Sequence, residues 1–225
     1  MHQRDAWRFS DRWIGTSVHA AVSYSRRPMY HTSSPGHAQR LVELVRGAPY
    51  LMAALAAVRE LDLGAWCIGA GAVRSLVWDS LHGFSEPSAL EDIDVVYFNA
   101  DEPPQLGEAA LQKRLSMRMP EHRWEVTNQA HVHHWFRESL GQVVTPLSSL
   151  EEGISTWPEF ATCVGVSLAD DDSIRVLAPH GLKDLFGLRV RHNPVRADAA
   201  TYRQRVEQKQ FARRWPKVEI LAAQP

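Results

Sequence analysis

Only two cysteines occur in the 225 residues, Cys67 and Cys163, both inside runs that read as buried strands. That scarcity excludes a disulfide framework and leaves two inert thiols of a reducing compartment as the expectation. No stretch approaches the roughly twenty consecutive apolar residues that cross a bilayer, so no membrane partner is expected. The N-terminus scatters charge and histidine and lacks the apolar core of a secretory signal, which makes the cytoplasm the expected location. An excess of one charge sign is also missing. The formal net charge is −1, which gives no reason to expect DNA or an anionic surface as a partner. Internal repeats and low-complexity tracts are absent too.

What is there is ordinary for a globular chain, 44% hydrophobic and 23% charged, and long enough for one large domain. Residues 1–34 show no sustained periodicity beyond a possible short helix around Trp7 to Ile14 and read as a poorly structured extension. Ser34-Pro35 is a helix start, and the domain is expected to run from 35 to 217, followed by a tail over 218–225. Two packing helices come first. Leu41, Leu44 and Val45 repeat at helical spacing up to Gly47, and Leu51, Leu55 and Val58 line one face of the next.

The informative stretch is Trp66–Phe98. A short apolar run meets Gly69-Ala70-Gly71, which turns the chain into a helix with Val73, Leu76, Val77 and Leu81 apolar. Small residues there let a ligand approach the backbone, and the helix start offers free N–H groups and a positive dipole to a phosphate. The glycines have a purely steric reading as well. Further on, IDVVYF is a β-branched and aromatic strand, with Asp92 and Asp94 two apart at its start and therefore on one face. Two carboxylates about 6–7 Å apart repel unless a cation lies between them. A divalent-ion site is the reading favoured over a solvated strand end.

Later segments add candidates. In the strand RWEVT, Glu125 faces away from Trp124 and Val126. Asn128 is placed to cap a helix carrying His131, His133 and His134, which lack a further zinc ligand at suitable spacing and read as structural. Ser148 with Glu151 has the form of a capping box. Cys163–Leu168 and Ile174–Leu177, joined by three aspartates, make a hairpin. A helix begins at Asp198, and Arg189, Arg191, Arg196, Arg203, Arg205, Lys209, Arg213 and Arg214 form a basic C-terminal quarter. They read either as a solvated helix face or as a contact for triphosphate or a polyanionic acceptor.

The phrases GAGAVRSLVWDSLHG, EDIDVVYF, WEVTNQAHVHHW, WPEFATCVGVSL and APHGLKDLF, in this order, resemble a bacterial family of nucleotidyltransferase-like proteins. That family belongs to the polymerase-β-type nucleotidyltransferase superfamily, and the similarity spans roughly residues 37 to 217. The resemblance implies an α+β fold, a mixed sheet flanked by helices, here with a C-terminal hairpin and helical tail. It implies that Asp92, Asp94 and Glu125 are the catalytic and metal-binding carboxylates of a two-Mg²⁺ site. Gly69, Ala70 and Gly71 fall at the nucleotide-binding turn, where the superfamily usually has Gly-Ser or Gly-Gly, and Arg74 is placed to reach the triphosphate. The implied activity is transfer of a nucleoside monophosphate from an NTP to a small molecule, protein or RNA. The alternative is a nucleotide-binding module of the same fold with little or no turnover.

Overall fold

A computed structural model describes residues 35–102 and 106–223. The expected extension over 1–34 lies outside the described residues. Helices α1 (Pro35–Arg46) and α2 (Pro49–Arg59) come first, as their apolar spacing predicts. They bury Leu41, Val45, Leu51, Leu55 and Val58 completely. Strand β1 (Ala65–Gly69) then leads into α3 (Gly71–His82). Gly83, at φ 70°, ends α3 in the left-handed conformation that glycine adopts without strain. Strand β2 (Ile93–Phe98), α4 (Leu106–Arg118) and β3 (Trp124–Asn128) follow.

Asn128 caps a single 3₁₀ turn by accepting the Ala130 N–H at 3.1 Å, and α5 (Val132–Leu140) continues from it. Next comes α6 (Leu150–Ser155). Its cap is Ser149, one residue later than the sequence pattern predicts: the Glu152 N–H donates to Ser149 Oγ at 3.1 Å. The Glu152 carboxylate in turn accepts the Ser148 N–H at 2.7 Å. Two overlapping Ser/Glu pairs compete there, and the register observed is the one that buries Leu150 and Ile154.

The hairpin β4 (Gly165–Leu168) and β5 (Ile174–Leu177) joins the main sheet. After α7 (Lys183–Phe186) and the short strand β6 (Arg189–Val190), Asp198 caps α8 (Ala199–Lys209). Gln210, at φ 47°, breaks the helix, and α9 (Phe211–Arg214) turns back towards α3. The break seats Phe211 and Trp215 edge-on to Trp78, with ring centroids 5.7 and 5.2 Å away. Such pairs contribute about 0.5–1.5 kcal/mol each beyond their burial. Residues 219–220 form β7, which pairs in parallel with β6.

Five strands make one mixed sheet in the order β3-β2-β1-β4-β5, with β2 and β3 parallel and every other pair antiparallel. Alternation along each strand gives the sheet two unlike faces. Trp66, Ile68, Ile93, Val95, Tyr97, Trp124 and Val126 enter the large core built with α1–α4. Cys67 and Val96 face the other way, into a smaller cluster with Val132, Phe136, Ile154 and Trp157. Both cysteines are free and buried, and burial pushes both thiols up, as expected of inert core residues. No single helix among the described residues is long and apolar enough to cross a membrane.

Candidate active site

The strand register assembles the acidic side of the site. Asp94 is paired with Glu125 on parallel β3 and with Gly69 on antiparallel β1. Residues opposite one another in a sheet project to the same face, so Asp94 and Glu125 emerge together, with Asp92 two residues before Asp94, just ahead of β2. One carboxylate oxygen from each of Asp92, Asp94 and Glu125 lies within 4.8 Å of the others. No other described group of three or more His, Cys, Asp or Glu residues has such geometry. Arg123 NH2 lies 3.0 Å from Glu125 Oε1, so this partly exposed carboxylate already has a cation beside it.

The acids open into a cleft that Ala70, Gly71, Arg74 and Ser75 also line. The three glycine-turn positions separate here. Gly69 is a strand residue outside the cleft lining, and a Cβ on it would lie 2.5 Å from the Trp157 ring. Its absent side chain is a packing requirement, the steric alternative that the sequence left open. Gly71 is the position facing the cleft: a Cβ there would meet nothing nearer than Arg74 NH2, 3.9 Å away. Between them Ala70 holds φ 46° and ψ −110°, a conformation an L-residue adopts only under strain. The first turn of α3 that follows presents N–H donors with no intrahelical acceptor.

Arg74 is only 4% exposed. Its guanidinium is sandwiched among Trp78, Phe211 and Trp215, 5.1–5.5 Å from the ring centroids, and NH2 donates to Ser75 Oγ at 3.3 Å. Burial, helped by the Arg205 charge, pushes it down to about 10, so it stays cationic at neutral pH. It forms part of the cleft floor.

Three members of the basic C-terminal quarter reach this cleft: Arg205, Lys209 and Arg214. Arg205 and Lys209 are one turn apart on α8, and the Gln210 break brings Arg214 round beside them. Arg205 is anchored by the fully buried Glu159, whose other oxygen accepts from Thr162 Oγ1 at 2.8 Å. Arg189, Arg191 and Arg196 instead serve local contacts with Glu219, Asp184 and the Thr145 carbonyl. Glu91 bonds Lys209 Nζ at 2.6 Å and Arg214 NH1 at 3.3 Å. Burial raises the Glu91 carboxyl, but the Lys209 hydrogen bond and the Lys209, Arg214 and Arg74 charges outweigh it and hold it below the ordinary glutamate value.

Sequence reasoning missed Glu91, Arg123 and Glu159. Glu91 and Arg123 carried one weak signal, a charged residue beside a candidate carboxylate or two positions from it; Glu159 carried none. The histidines stand apart, as expected of structural residues. His131 Nε2 bonds the Glu102 carbonyl at 2.6 Å, and the His133 and His134 rings lie tilted against each other with centroids 4.0 Å apart.

The family model described as Nucleotidyltransferase matches residues 56–220, well over half the chain and the whole cleft. No curated protein matches the sequence. An NMR structure described as revealing a CCA-adding enzyme head domain is 28% identical with a TM-score of 0.69. That match covers 82% of this chain and 95% of the other. A structure described as a tRNA-processing enzyme in apo form I is 17% identical with a TM-score of 0.44. It covers 84% of this chain and 45% of the longer one. With the carboxylate set, the helix start and the matched span in agreement, the chain belongs to the nucleotidyltransferase family of enzymes.

Proposed function

We propose that the cleft binds an NTP with Mg²⁺ and transfers its nucleoside monophosphate to an acceptor hydroxyl, releasing pyrophosphate. The observation that carries this reading is the convergence of Asp92, Asp94 and Glu125 within 4.8 Å, facing a helix start and a cationic wall. The donor set fits hard divalent ions, being all carboxylate oxygen with no Cys or His. Asp92 and Asp94 would hold both ions, and Glu125 would complete the one on the acceptor side. Such ions stabilise the attacking and leaving oxygens of an in-line displacement.

The chain's own groups divide the remaining work. Backbone N–H groups at Gly71 and the start of α3 hold the phosphate nearest the acids. Arg74, Lys209 and Arg214 take the charge that accumulates on the departing pyrophosphate, where a guanidinium suits phosphate oxygens in pairs. Glu125 accepts the proton of the acceptor hydroxyl at a carboxylate oxygen.

The test is incubation of the protein with Mg²⁺ and each labelled NTP, offering RNA, protein and small-molecule acceptors in turn. Label transfer or pyrophosphate release is expected, and Asp92→Ala and Asp94→Ala should abolish it in folded protein. Undiminished turnover in both variants would place the chemistry elsewhere. Metal-dependent nucleotide binding with no product from any acceptor would favour a binding module.

A further inference from the structure

Glu91 is adjacent to Asp92 in sequence, yet its carboxylate is turned away from the metal-type cluster and towards the opposite wall. It lies 2.6 Å from Lys209 Nζ and 3.3 Å from Arg214 NH1. Behind that pair are Arg74 and Arg205, both over nine-tenths buried and both lining the cleft. One guanidinium nitrogen of each, Arg74 Nε and Arg205 NH1, has no hydrogen-bond partner. Four cations thus face the cleft from this side, and the carboxylates bonded to them are Glu91 and Glu159. Glu159 is fully buried and fixed by Arg205 and Thr162. The Glu91 side chain is 52% exposed and can leave by rotation alone.

The backbone around Glu91 is secured independently of its carboxylate. Ser88 donates its N–H and hydroxyl to the Asp79 carboxylate at 2.8 and 2.6 Å. Trp215 Nε1 donates to the same carboxylate at 2.7 Å. Arg214 NH2 also holds the Ala89 carbonyl at 2.9 Å. Three residues on, Asp92 precedes β2, whose first N–H is bonded to the Arg123 carbonyl at 2.8 Å. Breaking the Glu91 pairs therefore frees Lys209 Nζ and Arg214 NH1 without unravelling the loop.

We infer that Glu91 is an internal stand-in for polyphosphate: it neutralises Lys209 and Arg214 in the empty cleft, and the β- and γ-phosphates of the substrate displace it. This rests on the proposed nucleotide site and adds to it a counter-ion that the substrate must displace. A single carboxylate leaves this wall with an unmet excess of positive charge, which a chain of phosphates satisfies. A lone phosphate held at the start of α3 gains nothing from opening the latch. Glu91 thereby weakens the binding of every anion that must open the latch, and keeps the cationic wall from collecting stray anions.

The test uses the full chain, inorganic tripolyphosphate as probe, no metal and low salt, with calorimetric titration. Working without metal keeps the acidic side out of the readout. Wild type should bind the probe, and Glu91→Gln should bind it about fivefold tighter, as expected for loss of competing, partly exposed ion pairs. The gain should vanish when Glu91→Gln is combined with Lys209→Ala and Arg214→Ala. Orthophosphate should bind Glu91→Gln measurably better than wild type. Equal or weaker tripolyphosphate binding by Glu91→Gln, with Lys209→Ala and Arg214→Ala still harmful, overturns the stand-in and leaves the phosphate site standing. No binding to wild type or Glu91→Gln overturns the stand-in, while the Mg²⁺-dependent label transfer described above still decides the nucleotide site.

Discussion

Asp94 and Glu125 sit on two hydrogen-bonded strands whose register brings them together, with Asp92 just ahead of the first, whereas the basic wall joins Arg74 on α3 to Arg205, Lys209 and Arg214 on the consecutive helices α8 and α9, far along the chain. The acidic wall needs only correct strand pairing, and its like charges do nothing for the fold. The basic wall needs α8, the break at Gln210 and α9 to close against α3, and it needs Glu159 beneath it. One wall is set by local geometry and is a cost to folding. The other is made by tertiary packing and is part of what holds the C-terminal helices in place. Substitutions on the two walls should therefore separate activity from stability in opposite ways.

The largest effect is expected on the acidic wall. Asp92→Asn should lower turnover by about 1,000-fold or more, since metal-held charge stabilisation supplies several kcal/mol and about 1.4 kcal/mol is a factor of ten. Its Tm should stay within a degree or two of wild type, because a half-exposed acid is being relieved of a like-charged neighbour. Steady-state assay with thermal denaturation monitored by circular dichroism checks both. A large fall in Tm would mean that this wall also supports the fold.

Glu159→Ala should show the reverse emphasis. It leaves Arg205 buried beside Arg74 without a counter-charge, a change that costs about 3–5 kcal/mol. For a domain of this size that is a Tm lower by roughly 6–20 °C. Replacing both Glu159 and Arg205 by Met should recover much of the stability while leaving tripolyphosphate binding weakened. If Glu159→Ala melts like wild type, the basic wall is not the tertiary device described here.

The same contrast explains what could be read from the sequence. The two packing helices, the strand–turn–helix unit, the hairpin and the aspartate pair follow from period and turn chemistry, and all stand where the pattern puts them. Glu125 was legible as a strand residue facing away from Trp124 and Val126; only the sheet order shows that it stands beside Asp94. The glycine turn was half legible. Gly71 opens to the cleft, but Gly69 answers to Trp157, a contact across 88 positions that no local pattern encodes. The basic quarter was visible as composition, while bringing Arg214 round beside Arg205 and Lys209 depends on the left-handed Gln210. Nothing in a glutamine predicts that. Glu159 and Glu91 were illegible for the same reason, since the meaning of each lies in partners 46 and 118 residues away.

Ala70 sits at the seam between the walls, and its positive φ is a strain that glycine would relieve. Ala70→Gly should raise stability by about 1 kcal/mol, the saving in backbone strain exceeding the added freedom of the unfolded chain. That corresponds to a Tm higher by roughly 2–4 °C. A lower Tm would show that the Ala70 methyl, 7% exposed, contributes more by packing than its backbone costs.

The smallest effect tests whether the acidic wall has its own stand-in, as Glu91 is for the other. Arg123 NH2 is 3.0 Å from Glu125 Oε1, and a divalent ion bound to that oxygen competes with it. Removing the arginine by Arg123→Ala takes this ion pair away from the carboxylate and removes a positive charge from the ion's approach. Both consequences have the same sign, so Mg²⁺ or Mn²⁺ should bind more tightly. The pair is partly exposed, and such pairs contribute about 0.2–1 kcal/mol, which limits the gain to about fivefold. Titration of Mn²⁺ followed by electron paramagnetic resonance, without nucleotide, isolates this step from the basic wall. Tighter metal binding, with a gain that shrinks in high salt, would make the two walls alike in one respect: each is held neutral by a residue that its ligand must displace. Unchanged or weaker binding would restrict that device to the basic wall, where the counter-ion is the half-exposed Glu91.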